Sequence, residues 1–205
     1  AAAGEPQVNQ AYDYLGAVYS FYRERFGRDS INGSGSTLSA IVRACPDSND
    51  DCPYGNAFYN DSTSTMTFGE QRLSDDVTGH EMTHGVTAAM NGLEYLDQSG
   101  AINESMSDVF GEFIDRTNGL GNDAADRNWL HGEDAGSGVT RNLADPTRSV
   151  EPQPDAWTAA STRRRRRRRC ATPSPTTTAA CTTTAVSATR PVSSSPMGGR
   201  STAPR

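Results

Sequence analysis

The chain has 205 residues, of which 34 % are hydrophobic, and this suits one ordinary domain or two small ones. Its net charge of −6 is the sum of an acidic part and a basic part. All 25 acidic residues and nine of the 19 arginines precede Trp157, whereas residues 158–205 contain ten arginines and no acidic residue. No apolar run approaches the length of a transmembrane helix, which excludes the class of membrane-spanning proteins. The first residues lack the pattern of a leader and resemble the interior of a longer chain.

Three segments have the apolar spacing of amphipathic helices, with hydrophobic residues three and four positions apart. They cover residues 8–26, 73–91 and 101–117, and a glycine follows each of them within two residues, where helices commonly end. In the third helix we expect the apolar stripe to be Ile102, Met106, Val109, Phe110 and Phe113.

Strand patterns occupy the stretch between the first two helices. Residues 30–43 predict a turn followed by a strand. Residues 56–60 and 64–70 alternate apolar and polar residues, as a half-exposed hairpin does. Residues 119–148 are typical of a loop.

The last segment, residues 158–205, consists almost entirely of Thr, Ser, Ala, Pro and Arg and has no aromatic residue. Such a segment cannot bury enough apolar surface to offset its ordering entropy, so we expect it to be disordered. The arginine run Arg163–Arg169 leaves one alternative function open, that of binding nucleic acid or another polyanion. Because no aromatic residues are interleaved for stacking on bases, we do not expect nucleic acid as a partner.

The second predicted helix contains an HExxH motif, His80-Glu81-Met82-Thr83-His84. Four residues are slightly more than one helical turn, so the two imidazoles project side by side and both can bind one tetrahedral zinc. Glu81 then lies beside the metal, where it can act as a base on a water molecule. The alternative is two surface histidines and an ordinary helical glutamate.

A third protein ligand is available on the next helix, since catalytic zinc sites use three ligands and keep one position open. Glu104 follows His84 by 20 residues, and Asp108 lies on the same helical face. Asp108 can accept the free ring N–H of a zinc-bound histidine. An acidic solvated face is the alternative, but we expect both acids to sit among the apolar stripe. His131 has no partner motif and is interpreted as a surface histidine.

The sequences HEMTHGVT and GLEYLDQSGAINESMSDVFG resemble the thermolysin-like (M4) zinc metalloendopeptidases, and the likeness covers residues 7–155. The resemblance implies an α+β, two-lobed zincin-like fold, with a β-rich lobe that ends in the HExxH helix and a helical second lobe. It implies one catalytic zinc, with His80, His84 and Glu104 as ligands, Glu81 as general base and Asp108 as the group that orients a histidine. The implied function is zinc-dependent hydrolysis of peptide bonds in protein and peptide substrates.

Further roles come from the same resemblance. Tyr95 matches the tyrosine that hydrogen-bonds the developing oxyanion, and Arg141 matches an arginine that contacts the substrate carbonyl. Asn56 and Ala57 match the edge strand against which the peptide lies. A core tyrosine, a solvated cation and an ordinary strand are the respective alternatives.

A structural calcium ion is also implied by the resemblance. The residues that align with such a site are Asp76, Asp115, Asn128 and Glu133. We expect one ion rather than two, because this chain has Leu130 where the family's double site has a further acid. The alternative is an acidic surface that keeps the protein soluble.

The two cysteines of the acidic part, Cys45 and Cys52, could close a short loop as a disulfide or remain free thiols. A disulfide suits an exported protein, and the resemblance likewise implies a secreted enzyme. We expect a monomer that does not associate with membranes.

We divide the chain into residues 1–90, the end of the first lobe with the HExxH helix, residues 91–157, the start of the helical lobe, and the tail at 158–205. The family's signal, pro-segment, amino-terminal β-sheet and downstream DNGGVH motif do not occur in the sequence. The codons of Thr176–Thr182, read one base earlier, permit Asp-Asp-Asn-Gly-Gly-Val-His, so we hypothesise a shifted reading frame after about Trp157. A catalytically impaired zinc-binding fragment is the alternative.

Overall fold

Most elements lie close to their predicted positions. The computed structural model describes residues 5–45 and 52–153, and the backbone of residues 184–188. In chain order the elements are α1 (Pro6–Phe26), β1 (Leu38–Ala44), β2 (Ala57–Asn60), β3 (Thr65–Gly69), α2 (Asp75–Asn91), α3 (Asp97–Asn118), β4 (Leu130–His131), β5 (Arg141–Asn142), a 3₁₀ turn (Pro146–Arg148) and β6 (Thr184–Ala188). The three predicted helices and the β2–β3 hairpin are confirmed, while the predicted loop at 119–148 also contains β4, β5 and the 3₁₀ turn.

The helix ends follow from local backbone chemistry. Pro6 lies in the first turn of α1, where its missing N–H has no helical partner to lose and its fixed φ suits the helix. Gly27 and Gly92 end α1 and α2 with φ of 65° and 57°, a left-handed conformation that glycine adopts without a Cβ penalty.

The main sheet has the strand order β2-β3-β1-β6. Strands β1 and β3 are parallel, with Ala40 beside Met66, and β2 pairs antiparallel with β3, with Ala57 beside Phe68. Among the strands of the described residues, β2 therefore lies at an edge of this sheet. Strand β6 pairs antiparallel with β1, and the rest of residues 158–205 lies outside the described residues, so the expected disorder there stays a prediction.

One hydrophobic core joins α1, the sheet and the two later helices. Its fully buried side chains include Leu15 and Val18 of α1, Phe68 of β3, Met82 of α2 and Ile114 of α3. Each such side chain contributes about 1.5–3 kcal/mol through removal from water. The core thereby fixes α2 against the sheet and α3 against α2.

Helices α2 and α3 approach each other at two glycines. A Cβ on Gly111 would lie 2.5 Å from the Asp76 backbone oxygen, and a Cβ on Gly79 would lie 2.8 Å from Ile114 Cδ1 and 3.0 Å from the Gly111 Cα. Larger residues would hold the helices apart. This close packing sets the distance between the HExxH motif and Glu104.

The predicted apolar stripe of α3 is wrong at three of its five positions, whereas Val109 and Phe110 are half-buried and Phe110 packs against the core. Ile102, Met106 and Phe113 are 56 %, 44 % and 43 % exposed. The buried face of α3 instead consists of small, polar and acidic residues together with one isoleucine: Gly100, Asn103, Ser107, Asp108, Gly111, Glu112, Ile114 and Asp115. Glu104 and Asp108 therefore lie beside a polar face, because α3 turns its hydrogen-bonding groups toward the histidines of α2 and not toward an apolar core.

The structure joins Cys45 and Cys52 in a disulfide, with Cα atoms 5.4 Å apart, a normal separation for such a bond. Within the described part of the chain, no helix combines the length and the apolar character needed to cross a bilayer.

Candidate metal centre

Three predicted ligands converge at one point between α2 and α3. The Nε2 atoms of His80 and His84 are 2.9 Å apart, and the Glu104 carboxylate lies 3.4 Å from His80 Nε2 and 3.5 Å from His84 Nε2. Ligands bound to a tetrahedral zinc at 2.0–2.1 Å are separated by roughly 3.3 Å. The donor set and its spacing therefore fit a zinc ion.

The opposite ring nitrogens of both histidines are held by α3. His80 Nδ1 lies 2.8 Å from Asp108 Oδ1, and His84 Nδ1 lies 2.7 Å from Asn103 Oδ1 and 3.2 Å from Ser107 Oγ. With Nδ1 donating to these oxygens, each Nε2 keeps its lone pair for a metal. Asn103 and Ser107 were missed by the sequence analysis, although Ser107 lies three residues after Glu104, on its helical face, and four after Asn103.

The charges around the histidines favour a cation. Burial lowers the pKa of His80, but hydrogen bonds to Asp108 and Glu104 outweigh it and raise that pKa to about 10. Burial raises the pKa of Glu104, yet its contacts with His80 and His84 bring it below the usual value. Burial and the neighbouring His80 lower the pKa of His84. A divalent ion would supply the positive charge that these carboxylates stabilise.

Glu81 points into the same space from α2. It is 5 % exposed, and among the described residues its Oε2 has no hydrogen-bond partner. Burial, with help from the charge on Glu104, raises its pKa to about 7. Its carboxylate belongs with His80 and His84 to a group whose candidate ligand atoms lie within 4.8 Å of one another. A buried carboxylate in this position, beside the candidate ligands, is suited to exchange protons with a water molecule.

The remaining residues of the predicted active site lie close by. The Tyr95 hydroxyl donates a hydrogen bond to Glu104 Oε1, and its ring centre is 5.9 Å from that of His84. Arg141 binds Asp108 through two hydrogen bonds, Nε to Oδ2 at 2.8 Å and Nη2 to Oδ1 at 2.5 Å. The guanidinium therefore holds the carboxylate that orients His80, a contact that the sequence did not indicate.

The predicted substrate strand is β2, and it borders the metal centre. Ala57 begins β2, and the Asn56 carbonyl accepts a hydrogen bond of 2.9 Å from the Gly69 backbone. Farther along the strand, the Tyr59 backbone donates to Glu81. The edge of β2, which has no partner strand in the described part of the chain, is thus beside the proposed base. The substrate roles of Asn56, Ala57 and Arg141 stay predictions.

An acidic cluster lies on the other side of the α2 N-terminus. Ligand atoms of Asp75, Asp115 and Asp134 lie within 4.8 Å of one another. Of the four residues predicted for calcium, only Asp115 belongs to this set. Asp76 turns its carboxylate to the Gly132 backbone and to His131. Glu133 is not part of that set among the described residues. The calcium assignments of Asp76, Asn128 and Glu133 stay predictions.

The carboxylates of this cluster and the nearby Glu133 destabilise one another in their charged forms. Burial, then the nearby charges, raises the pKa of Asp75 to about 6, of Asp115 to about 9 and of Glu133 to about 8. Asp115 is 2 % exposed, and its Oδ1 has no hydrogen-bond partner among the described residues. Buried, unpaired carboxylate oxygens are the ligands that a hard cation prefers.

The interpretation of His131 as a surface residue is wrong. This side chain is 4 % exposed, and its ring centre lies 5.2 Å from that of His80. Its Nδ1 is 3.1 Å from Asp76 Oδ2, at an angle outside that of a hydrogen bond, and 4.0 Å from Asp108 Oδ1. Sequence reasoning missed it because no motif surrounds it.

Comparisons with known proteins match two consecutive parts of the chain to one family. The model of the thermolysin metallopeptidase catalytic domain matches residues 3–88, and that of the thermolysin metallopeptidase α-helical domain matches residues 91–174. A zinc metalloproteinase of Renibacterium salmoninarum is 43 % identical over 164 residues, 74 % of this chain and 30 % of the relative. An extracellular metalloprotease of Pectobacterium carotovorum subsp. carotovorum is 37 % identical, over 63 % of this chain and 37 % of the relative.

A solved structure, the precursor of protealysin, a metalloproteinase from Serratia proteamaculans, has a TM-score of 0.49 and 36 % identity and covers 57 % of this chain and 36 % of that one. The chain spans about a third of the length of the relatives it matches. Two adjoining family models, which match residues 3–88 and 91–174, place this chain in the thermolysin family of metallopeptidases.

Proposed function

We propose that this chain is part of a zinc-dependent metalloendopeptidase and hydrolyses peptide bonds. The observation that carries the proposal is the convergence of His80, His84 and Glu104 at tetrahedral spacing, with the buried Glu81 beside them. We also propose that the substrates are proteins and peptides, that the two lobes meet near residue 90 and that the protein is a monomer. Export of the longer protein is supported by the disulfide and by the relative named extracellular metalloprotease.

Zinc, when bound to His80, His84 and Glu104, would polarise a water molecule and the carbonyl of the bond to be cleaved. Glu81 takes a proton from the attacking water and later delivers it to the leaving amine. Its carboxylate is buried beside the proposed ligands, where it can reach a water molecule held between them. Asp108 keeps the His80 ring in place, and Arg141 keeps Asp108 in place.

Substrate binding would use the free edge of β2. An extended peptide can add to such an edge through main-chain hydrogen bonds, and Asn56 and Ala57 are the predicted partners. Because the Tyr59 backbone bonds to Glu81, the peptide would run past the base. Tyr95, which is 47 % exposed and contacts Glu104, could then turn its hydroxyl toward the developing oxyanion.

We further propose one structural calcium ion at the acidic cluster, bound by Asp75, Asp115 and Asp134. The support is the unpaired Asp115 Oδ1 and the raised pKa values of the surrounding carboxylates. A divalent cation would remove this repulsion where α2 begins and α3 ends.

The test compares Glu81→Gln with Glu24→Gln, an exposed change in α1, in the full 205-residue chain loaded with zinc. We expect hydrolysis of an internally quenched apolar peptide by the unchanged chain and by Glu24→Gln, and its loss on chelation. Glu81→Gln should bind zinc but lose about 100-fold or more in rate, the usual contribution of a general base. Zinc binding without turnover by the unchanged chain would instead support the inactive-fragment alternative.

The polyanion-binding alternative depends on residues 163–169, which lie outside the described residues. The comparisons with metalloproteases do not favour it.

A further inference from the structure

Two side chains reach the metal centre from one small β-ribbon, formed by β4 and β5 and here called the β4–β5 ribbon. His131 and Arg141 are directly opposite each other in its antiparallel register. Thr140 ties the ribbon further, since its backbone N–H donates to the His131 carbonyl at 2.8 Å and its hydroxyl donates to the same oxygen at 3.2 Å. Side chains of opposed residues lie on the same face of a ribbon, so both can meet the helices together.

Asp76 connects this ribbon to the first turn of α2. Its Oδ1 accepts hydrogen bonds from Ser74 Oγ at 2.5 Å and from the Val77 backbone at 2.6 Å. Its Oδ2 accepts one from the Gly132 backbone and lies 3.1 Å from His131 Nδ1. Burial alone raises the pKa of Asp76, but the His131 charge and these bonds lower it to about 2. The ionised carboxylate thus anchors the ribbon beside the zinc helix.

Asp108, on α3, contacts the same ribbon. Its Oδ1 lies 2.8 Å from His80 Nδ1 and 4.0 Å from His131 Nδ1, and Arg141 binds both of its oxygens. Burial would raise the pKa of Asp108, but the His80 hydrogen bond and the charges on His131, His80 and Arg141 hold it well below its usual range. His131 therefore stands between one carboxylate on each zinc-binding helix.

We propose that His131 is a positioning residue of the zinc centre, which bridges Asp76 and Asp108 and so fixes the direction in which His80 presents Nε2. The inference rests on the zinc site proposed above. Without His131, Arg141 alone would hold Asp108 from the ribbon, and Asp76 would lose its ring contact. The carboxylate that orients His80 could then rotate, and groups in this position commonly change metal affinity when they are removed.

The test measures zinc affinity of the full chain by competition with a chromophoric chelator, and the visible absorption spectrum of its Co²⁺ form. His131→Leu keeps the buried volume and removes the ring nitrogens, whereas His131→Asn keeps an amide donor near the position of Nδ1. We expect His131→Leu to weaken zinc binding about tenfold and to alter the Co²⁺ spectrum, and His131→Asn to stay within about threefold of the unchanged chain.

The matched control is Thr140→Val, which removes the hydroxyl bond to the His131 carbonyl but leaves both side-chain contacts of the ribbon in place. It should leave zinc affinity and the Co²⁺ spectrum unchanged. If His131→Leu does not fold, His131→Gln, whose amide lies beyond the Nδ1 position, replaces it with the same expectation.

Three results would overturn the inference. The first is unchanged zinc affinity in His131→Leu. The second is a loss of zinc affinity in His131→Asn and Thr140→Val as large as that in His131→Leu, which would mean that the substitutions merely loosen the ribbon. The third is the absence of zinc binding by the unchanged chain, which would overturn the proposed metal centre as well. Failure of the metal centre is thereby distinguished from failure of the role proposed for His131.

Discussion

Replacing Gly111 by alanine should separate the two helices that carry the zinc ligands. The added Cβ would lie 2.5 Å from the Asp76 backbone oxygen and 3.3 Å from the His80 backbone nitrogen. A carbon–oxygen contact needs about 3.3 Å, so α3 has to move roughly 0.8 Å away from α2. Both neighbours are main-chain atoms of a helix, and neither can turn aside as a flexible side chain would.

The magnitude follows from two opposing effects. Overpacking of a tight interior costs about 1–3 kcal/mol, and contact with rigid backbone places this case near the upper value. Alanine is favoured over glycine in a helix by about 1 kcal/mol, so the net loss is about 2 kcal/mol in the free energy of unfolding. The same displacement draws Glu104 away from His80, now at 3.4 Å, and should therefore weaken zinc binding.

Urea unfolding at equilibrium measures the stability, and a chelator competition measures zinc affinity. The matched control is Gly16→Ala in α1, where no atom lies within 4 Å of the added Cβ. This control should gain up to about 1 kcal/mol from helix propensity and bind zinc normally. The reasoning is refuted if Gly111→Ala is as stable as Gly16→Ala, or if it binds zinc as tightly as the unchanged chain.

The metal-free chain should lose stability as pH rises from about 4 to about 9. The pKa values of Asp115 and Glu133 in the folded state, about 9 and about 8, exceed those of the unfolded chain. The folded form therefore binds more protons in this window, and its free energy of unfolding falls as they are released. Urea unfolding at intervals across this range checks it, and stability that rises with pH would contradict it. Asp115→Asn should stabilise the metal-free chain at pH of about 8 but abolish its stabilisation by calcium. For the unchanged chain, calcium at 100 times its Kd should add about 2.7 kcal/mol to the free energy of unfolding. Calorimetric scans with and without calcium measure both effects, and equal calcium effects in the two proteins would argue against the site. Sequencing the gene from the codon of Asp145 to the stop tests the frame hypothesis, for which we expect a one-base slip that restores Asn-Gly-Gly-Val-His, whereas a confirmed frame would leave the tail as written.

The sequence by itself determined the elements whose geometry is local. His80, Glu81 and His84 share one helical turn, and their relation is fixed by the 3.6-residue period wherever the helix packs. The same period placed Glu104 and Asp108 on one face of α3. The ligand set could therefore be assigned from spacing and from the family resemblance, before any contact between the helices was known.

Only the tertiary structure decided which groups surround these ligands. Asn103 and Ser107 were found at His84, and His131 and Arg141 at the Asp108 carboxylate, through contacts between distant parts of the chain. Such contacts depend on how closely two backbones approach, and side-chain periodicity does not encode that distance.

The face of α3 shows the physical reason most clearly. Periodicity predicts that the apolar side should be buried, but the Gly79–Gly111 contact brings the polar side against α2, where its hydrogen bonds to histidines replace those lost to water. The sequence specified His80 and His84 because they are neighbours along one helix. The packing of α3 against α2 decided where Glu104 meets them and what holds these ligands in place.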